Sequence, residues 1–224
     1  MHARTRLLAL VPLVMTTLIF GLLPGHAFGK EQTMKRTAGA EPALATDPEA
    51  IRVVNFWINA GPALWFAKDQ AFDTRFRDRF LKDHEAAVRG ELRHWQSTAN
   101  GALALVLLLD QFPRNAFRGT PRMYSTDALA RRAARQAFAA GYDREIPIEL
   151  RKFFVLPLAH SEDLADQERS VALARHMSPE DLAHAEHHCD IVRRFGRFPH
   201  RNAILGRTST PEELEYLANG GYAG

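Results

Sequence analysis

The side chains with chemistry to offer gather in three short stretches that read as non-helical corners. The first is Asp110-Gln111-Phe112-Pro113-Arg114-Asn115, continuing through Phe117-Arg118-Gly119-Thr120; the second is His160-Ser161-Glu162-Asp163 with Gln167. The third is Phe195-Gly196-Arg197-Phe198-Pro199-His200-Arg201-Asn202, followed by Gly206-Arg207 and the hydroxyls Thr208 to Thr210. The first and third echo each other, since each sets Phe-Pro at a turn and then presents Arg and Asn. The phenyl ring can plug the core while proline ends regular structure. The guanidinium and amide are then free to hold a carboxylate or phosphate, bidentate where arginine allows.

Two arrangements of these groups are open. Arg114, Arg197, Arg201 and Arg207 facing Asp110, Glu162, Asp163 and Asp190 would make a buried ion-pair network that ties helices together. Alternatively Asp110, Gln111, Arg114, Asn115, His160, Glu162, Asp163, Arg197, His200, Arg201, Asn202 and Arg207 line a cavity for an anionic group, with Trp57, Trp65 and Trp95 as walls. For catalysis the candidates are His160 or His188 as general acid or base, with Glu162 or Asp163 setting the pKa.

Other chemistries find less support. His184 and His188 are spaced for one helix face, but Glu186 lies in the wrong place for a zincin helix and no closed ligand set is evident, so no metal is expected. Ser161 beside His160 and Cys189 beside His188 are neighbours in sequence only. Successive side chains on a helix point about 100° apart, so neither makes a nucleophile and base pair. No phosphate loop or dinucleotide fingerprint is present, and no cofactor is expected.

The elements that must position these corners read as helices. Asp47-Pro48-Glu49 opens the first, with Ile51, Val54 and Trp57 on one face, and Gly61-Pro62 ends it. Asp69 opens a second, where Phe72, Phe76 and Phe80 recur every four residues before Gly90. A third, from Gly101 to Phe112, is apolar all round and therefore buried, and is expected to stop at Pro113. A fourth spans about Thr126 to Ala140 and ends at Gly141. A fifth runs from Pro147 to a kink or end at Pro157, and Ser161 is expected to cap a sixth. Ser178-Pro179 opens a seventh that ends at Gly196, and Thr210-Pro211-Glu212-Glu213 opens an eighth as a capping box. No segment reads as a strand. The prediction is an all-α domain of about eight helices over residues 47–224, in antiparallel pairs forming a bundle or short solenoid.

The chain has 224 residues, 46% hydrophobic and 25% charged, enough for one globular domain with a tail. Its formal charge of +3 owes much to Arg4 and Arg6; beyond residue 29 there are 27 basic against 26 acidic side chains. A near-neutral body argues against a general nucleic-acid binder. The single Cys189 makes no internal disulfide. Arg4 and Arg6, the apolar run Leu7 to Leu23 and Pro24-Gly25-His26-Ala27 read as an export leader over residues 1–29, cleaved after Ala27, which would make the product periplasmic or secreted. Residues 7–23 are alternatively a membrane anchor, and a start at Met34 would give a cytoplasmic protein. Residues 30–46 read as a flexible linker.

Several strings carry a resemblance beyond these local readings. Val54-Asn55-Phe56-Trp57, Trp65-Phe66 with Phe72-Asp73, Gly90 with Trp95, Leu109 to Asn115, His160 to Asp163, and Phe195 to Asn202 with Gly206-Arg207 occur in one order. With these, residues 51–220 resemble the bacterial domain of unknown function 924 family, of the tetratricopeptide-like helical superfamily. The resemblance implies a helical fold and no established activity.

Three functions therefore stand as expectations. The first is a binding domain for an anionic small molecule or a peptide carboxylate. The second is a hydrolase or transferase acting on an anionic substrate through a histidine, and the third is a scaffold whose partner uses the outer surface. They differ in whether the corners converge on a reachable cavity.

Overall fold

The computed structural model describes residues 46–224; the expected leader, anchor, linker and alternative start lie outside the described residues up to 45. All regular structure among the described residues is helical, with no strand.

Local caps set most helix ends. In α1 (Pro48–Ala60), Asp47 accepts from Glu49 N, and Gly61 at φ 72° stops the helix. A single turn, α2 (Pro62–Trp65), follows. Asp69 caps α3 (Gln70–Arg89), which buries Phe72, Phe76, Phe80 and His84 on one face and ends at left-handed Gly90. The small residues Ala130, Ala133, Ala134 and Ala137 form the buried face of α6 (Asp127–Ala140). Ser178 caps α9 (Pro179–Phe195), and Thr210 with Glu213 makes the capping box of α10 (Pro211–Ala218).

Two sequence expectations are corrected at proline and serine. The apolar segment does not stop at Pro113. It runs from α4 (Ala99–Val106) through one π turn, Leu107–Gln111, into α5 (Phe112–Ala116). Phe112 N–H bonds back to Leu107 O, a wider ring than an α-turn, so Pro113 falls in the first turn of the next segment, where a missing amide costs nothing. By contrast α7 (Ile148–Ala159) ends two residues after Pro157, close to the kink or end expected there. The N-cap of α8 (Leu164–Ala174) is Asp163, which accepts from Ala165 N and Asp166 N, and not Ser161. Ser161 Oγ donates to Asp166 at 2.8 Å instead.

The core sits around α4, which is buried along its whole length and packs on α1, α6 and α7. Trp57 and Trp95 belong to this core and not to a cavity wall. Beyond it, α7, α8 and α9 pack in succession through short connections, as antiparallel neighbours do. No helix among the described residues is long and apolar enough to cross a membrane.

Candidate functional site

The π turn is the starting point, because it turns Asp110 and Gln111 into the interior, where Asp110 is fully buried. A carboxylate there must be neutralised by neighbours. Gln111 Nε2 donates to its Oδ2 at 2.6 Å, Arg114 Nη1 lies 3.1 Å from Oδ1, and His160 Nδ1 lies 2.9 Å from Oδ1. Burial alone would raise the Asp110 pKa. Arg114, His160 and Gln111 outweigh it and hold the carboxyl at about 2. An ionised carboxylate only accepts, so His160 Nδ1 carries the hydrogen and Nε2 keeps its lone pair. Burial and Arg114 push the His160 pKa down against the pull of Asp110, so the ring is neutral at pH 7.

Arg114 also pairs with Asp127, 3.0 Å away at the start of α6, and Asp127 in turn meets Arg201 at the longer distance of 3.4 Å. Arg201 is 6% exposed and lies between two rings, its guanidinium 4.5 Å from the centroid of Phe198 and 4.6 Å from that of Tyr124. Its Nε is buried without a hydrogen-bond partner. Burial and Arg114 lower its pKa more than Asp127 and Glu162 raise it. This guanidinium is desolvated and under-compensated.

These groups edge a cavity of about 450 Å³ between α2, α5, α7, α9 and the Phe198–Arg201 turn. Trp65, Phe66, Leu156, Phe198 and Tyr222 give it apolar walls. Its cationic side chains are Lys68, Arg114, Arg118, Lys152 and Arg201; Asp181 lies on the same lining and pairs with Lys152 at 2.7 Å, and Lys68 donates to Gly224 O at 3.1 Å. Arg118 is bidentate to Asp73 at 2.9 and 3.1 Å. His160, His184, His188 and His200 complete the lining. His188 Nδ1 donates to Ala159 O at 3.1 Å; burial, then His184 and His160, push its pKa down to about 2, and burial with Arg201 beside it takes His200 to about 4. Tyr124, His160 and Arg201 also line a second hollow of about 530 Å³ that holds Glu162 and Asp163.

Of the sequence candidates, Gln111, Arg114, Asn115, His160, His188, His200 and Arg201 therefore converge on one cavity, with Asp110 directly behind His160. The others do not. Arg197 is bidentate to Glu213 at 2.6 and 2.8 Å, and Asn202 bonds Ser209 and the same Glu213, so both fasten the turn before α10. Arg207 is bidentate to Glu162, which also accepts from Phe198 N, fixing the third corner to the second. Asp163 is occupied as a cap. The carboxylate that tunes His160 is thus Asp110, not Glu162 or Asp163. Ion pairing and cavity coexist: Asp110 holds Arg114 and Glu162 holds Arg207 as expected, whereas Arg197 goes to Glu213 and Asp190 to the exposed Arg193, and the residues left over face the space between the corners.

Lys68, Tyr124, Lys152, His184 and Tyr222 on the lining, and Asp127 behind Arg114 and Arg201, lie outside the three corners, and Arg118 stood in the first corner without being singled out. His184 had a signal in its spacing from His188, read for a metal; among the described residues no three His, Cys, Asp or Glu side chains are grouped to hold an ion. Asp127 carries only the ordinary mark of an acid in a first helical turn.

No curated protein matches the chain. A solved structure of a protein of unknown function, ATU0120 from Agrobacterium tumefaciens, is similar to it: 54% identity, a TM-score of 0.76, and coverage of 77% of this chain and 98% of that one. The family described as bacterial protein of unknown function (DUF924) matches over residues 53–221. The chain belongs to that family.

Proposed function

We propose that the protein binds a small anionic molecule in the cavity beside Arg201. The observation that carries this reading is the state of that guanidinium: almost fully buried, with one long ion pair and an unpartnered Nε. A buried cation without adequate compensation costs several kcal/mol, on the order of the penalty per desolvated ion, and an anion arriving at it recovers part of that cost. The volume suits a small ligand, and the apolar walls would cover its body. A peptide carboxylate offers the same charged group. Thermal denaturation with benzoate and with inorganic phosphate tests the reading. Wild type gains stability as ligand concentration rises, and Arg201→Met shows no shift. An equal shift in both proteins would place the anion elsewhere and overturn it.

A second reading, that the cavity is catalytic, is favoured by the Asp110–His160 pair. A neutral imidazole fixed by a buried carboxylate, its Nε2 without a hydrogen-bond partner among the described residues, is the arrangement of a general base. Under this reading a screen of 4-nitrophenyl acetate and 4-nitrophenyl phosphate reveals turnover that His160→Asn abolishes, whereas turnover surviving in that variant would remove His160 from the role.

A further inference from the structure

We infer that the anion taken by this cavity also carries a hydroxyl, donated to His160 Nε2, so that the ligand class is a hydroxylated aryl carboxylate. The inference rests on the anion reading above and adds to it a second recognition element.

Three observations lead there. First, His160 has no freedom of tautomer. Asp110 is buried and ionised, and it can only accept, so the ring hydrogen stays on Nδ1. Nε2 makes no hydrogen bond to any described residue and can only accept, and the ring lines both this cavity and the neighbouring hollow. Second, Arg201 and His160 are the ends of one continuous chain of contacts: His160 to Asp110 at 2.9 Å, Asp110 to Arg114 at 3.1 Å, Arg114 to Asp127 at 3.0 Å, Asp127 to Arg201 at 3.4 Å. This chain presents a cationic donor at one end and a neutral acceptor at the other, both on the same lining. Third, the surroundings select the donor. An ammonium group would have to be desolvated beside His160 while Asp110, Asp127 and Asp181 are already held by Arg114, Arg201 and Lys152, so a neutral hydroxyl fits where an amine does not. The lining is also aromatic: Phe198 touches both Arg201 and His188, Tyr222 packs beside it against His188 and His200, and Trp65 lines the same cavity. A flat ring bearing both groups matches that space better than a flexible chain, which would lose rotamer freedom on binding.

The logic of specificity is asymmetric. A site built to pair a hydroxyl rejects the analogue without it, because the acceptor is then left desolvated and unpaired. Titration calorimetry on the full protein with benzoate, 3-hydroxybenzoate and 4-hydroxybenzoate provides the test. At least one hydroxy acid should bind about tenfold more tightly than benzoate, the ratio expected of one buried hydrogen bond. His160→Asn keeps a donor toward Asp110 and deletes the acceptor, so it should bring that ratio to about one. A direct measurement needs no variant: in wild-type protein carrying ¹⁵N-labelled histidine, the His160 Nε2 resonance should move with the hydroxy acid and stay in place with benzoate. Equal affinity for all three acids, or an unmoved resonance in the hydroxy-acid complex, overturns the inference while leaving the anion reading intact. Binding of none of the three overturns both.

Discussion

Replacing Arg201 by methionine tests the account of the site most directly, because an arginine so deeply buried is ordinarily expected to be indispensable to the fold. Loss of one partner from a closed, buried ion pair costs about 3 to 5 kcal/mol, chiefly from the charge left behind. Here Asp127 keeps Arg114 at 3.0 Å when Arg201 is gone, so no carboxylate is stranded. What is lost is the guanidinium between Tyr124 and Phe198, worth about 0.5 to 2 kcal/mol for each ring. What is recovered is the desolvation of a cation whose Nε has no partner, a term of similar or larger size. Methionine fills most of the stem's volume and places sulfur against the same rings. The terms nearly cancel, and the unfolding free energy from urea titration should change by no more than about 1 kcal/mol either way, while the response to anions disappears. A loss of 3 kcal/mol or more, with an unchanged denaturant slope, would refute the reasoning and make Arg201 a tie between helices. Arg201→Ala should cost more than methionine, about 2 kcal/mol, because the two rings then lose the stem between them.

Phe76 is fully buried and touches Phe56, Trp57, Phe72, Phe80 and Phe112, so Phe76→Ala should cost about 3 to 5 kcal/mol in urea unfolding. Asp110→Asn should be as damaging, about 3 to 5 kcal/mol, since it leaves Asp127 alone to balance the buried guanidiniums of Arg114 and Arg201; a near-neutral effect would mean the buried network is not compensated as described. Stability should fall with acidification earlier than carboxylate protonation requires. His200 is held near 4 and His188 near 2 in the fold, against about 6.5 when unfolded, so below pH 6.5 the unfolded chain binds more protons and is favoured. His200→Gln should flatten the loss between pH 6.5 and 4, and an unchanged profile would show that His200 titrates freely. The preference for hydroxy acids should decline on the acid side of the His160 transition, where protonated Nε2 can no longer accept; a preference constant with pH would contradict a neutral acceptor.

What the sequence disclosed divides along the range of the interactions involved. Helix ends at Asp47-Pro48, Asp69, Ser178-Pro179 and Thr210-Pro211 were legible because a cap acts within three residues and its partners are backbone amides always present. Pro113 misled because the local rule assumes an α register, whereas here the demand to bury Leu107, Leu108 and Leu109 on all sides goes with a wider turn that shifts it. Ser161 and Asp163 are both competent caps, and only the position of Asp166, which takes the Ser161 hydroxyl, decides between them. For the site, the arginines and histidines of the three corners were visible as types. Which of them face the cavity was not, because Glu162 and Glu213 claim Arg207 and Arg197 through contacts that span 45 and 16 residues. Lys68 sits in the link between α2 and α3 and Lys152 inside α7, and neither context marks it as part of a site.

The π turn at Leu107–Gln111 gives the segment from Ala99 to Ala116 one residue more than an unbroken α-helix of that span would use. A one-residue deletion inside it would close the wide turn into an ordinary α turn, leaving the helix beyond in nearly the same orientation but removing the bulge itself. Asp110, which lies in the bulge, would lose the backbone placement that aims it at His160, and Pro113 would fall where a helical amide is required. The extra residue is in this sense a hinge pin between two demands, one for a dry apolar rod and one for a buried carboxylate aimed at His160. Point substitutions sample each demand separately, but a single codon lost here would exchange the second for the first.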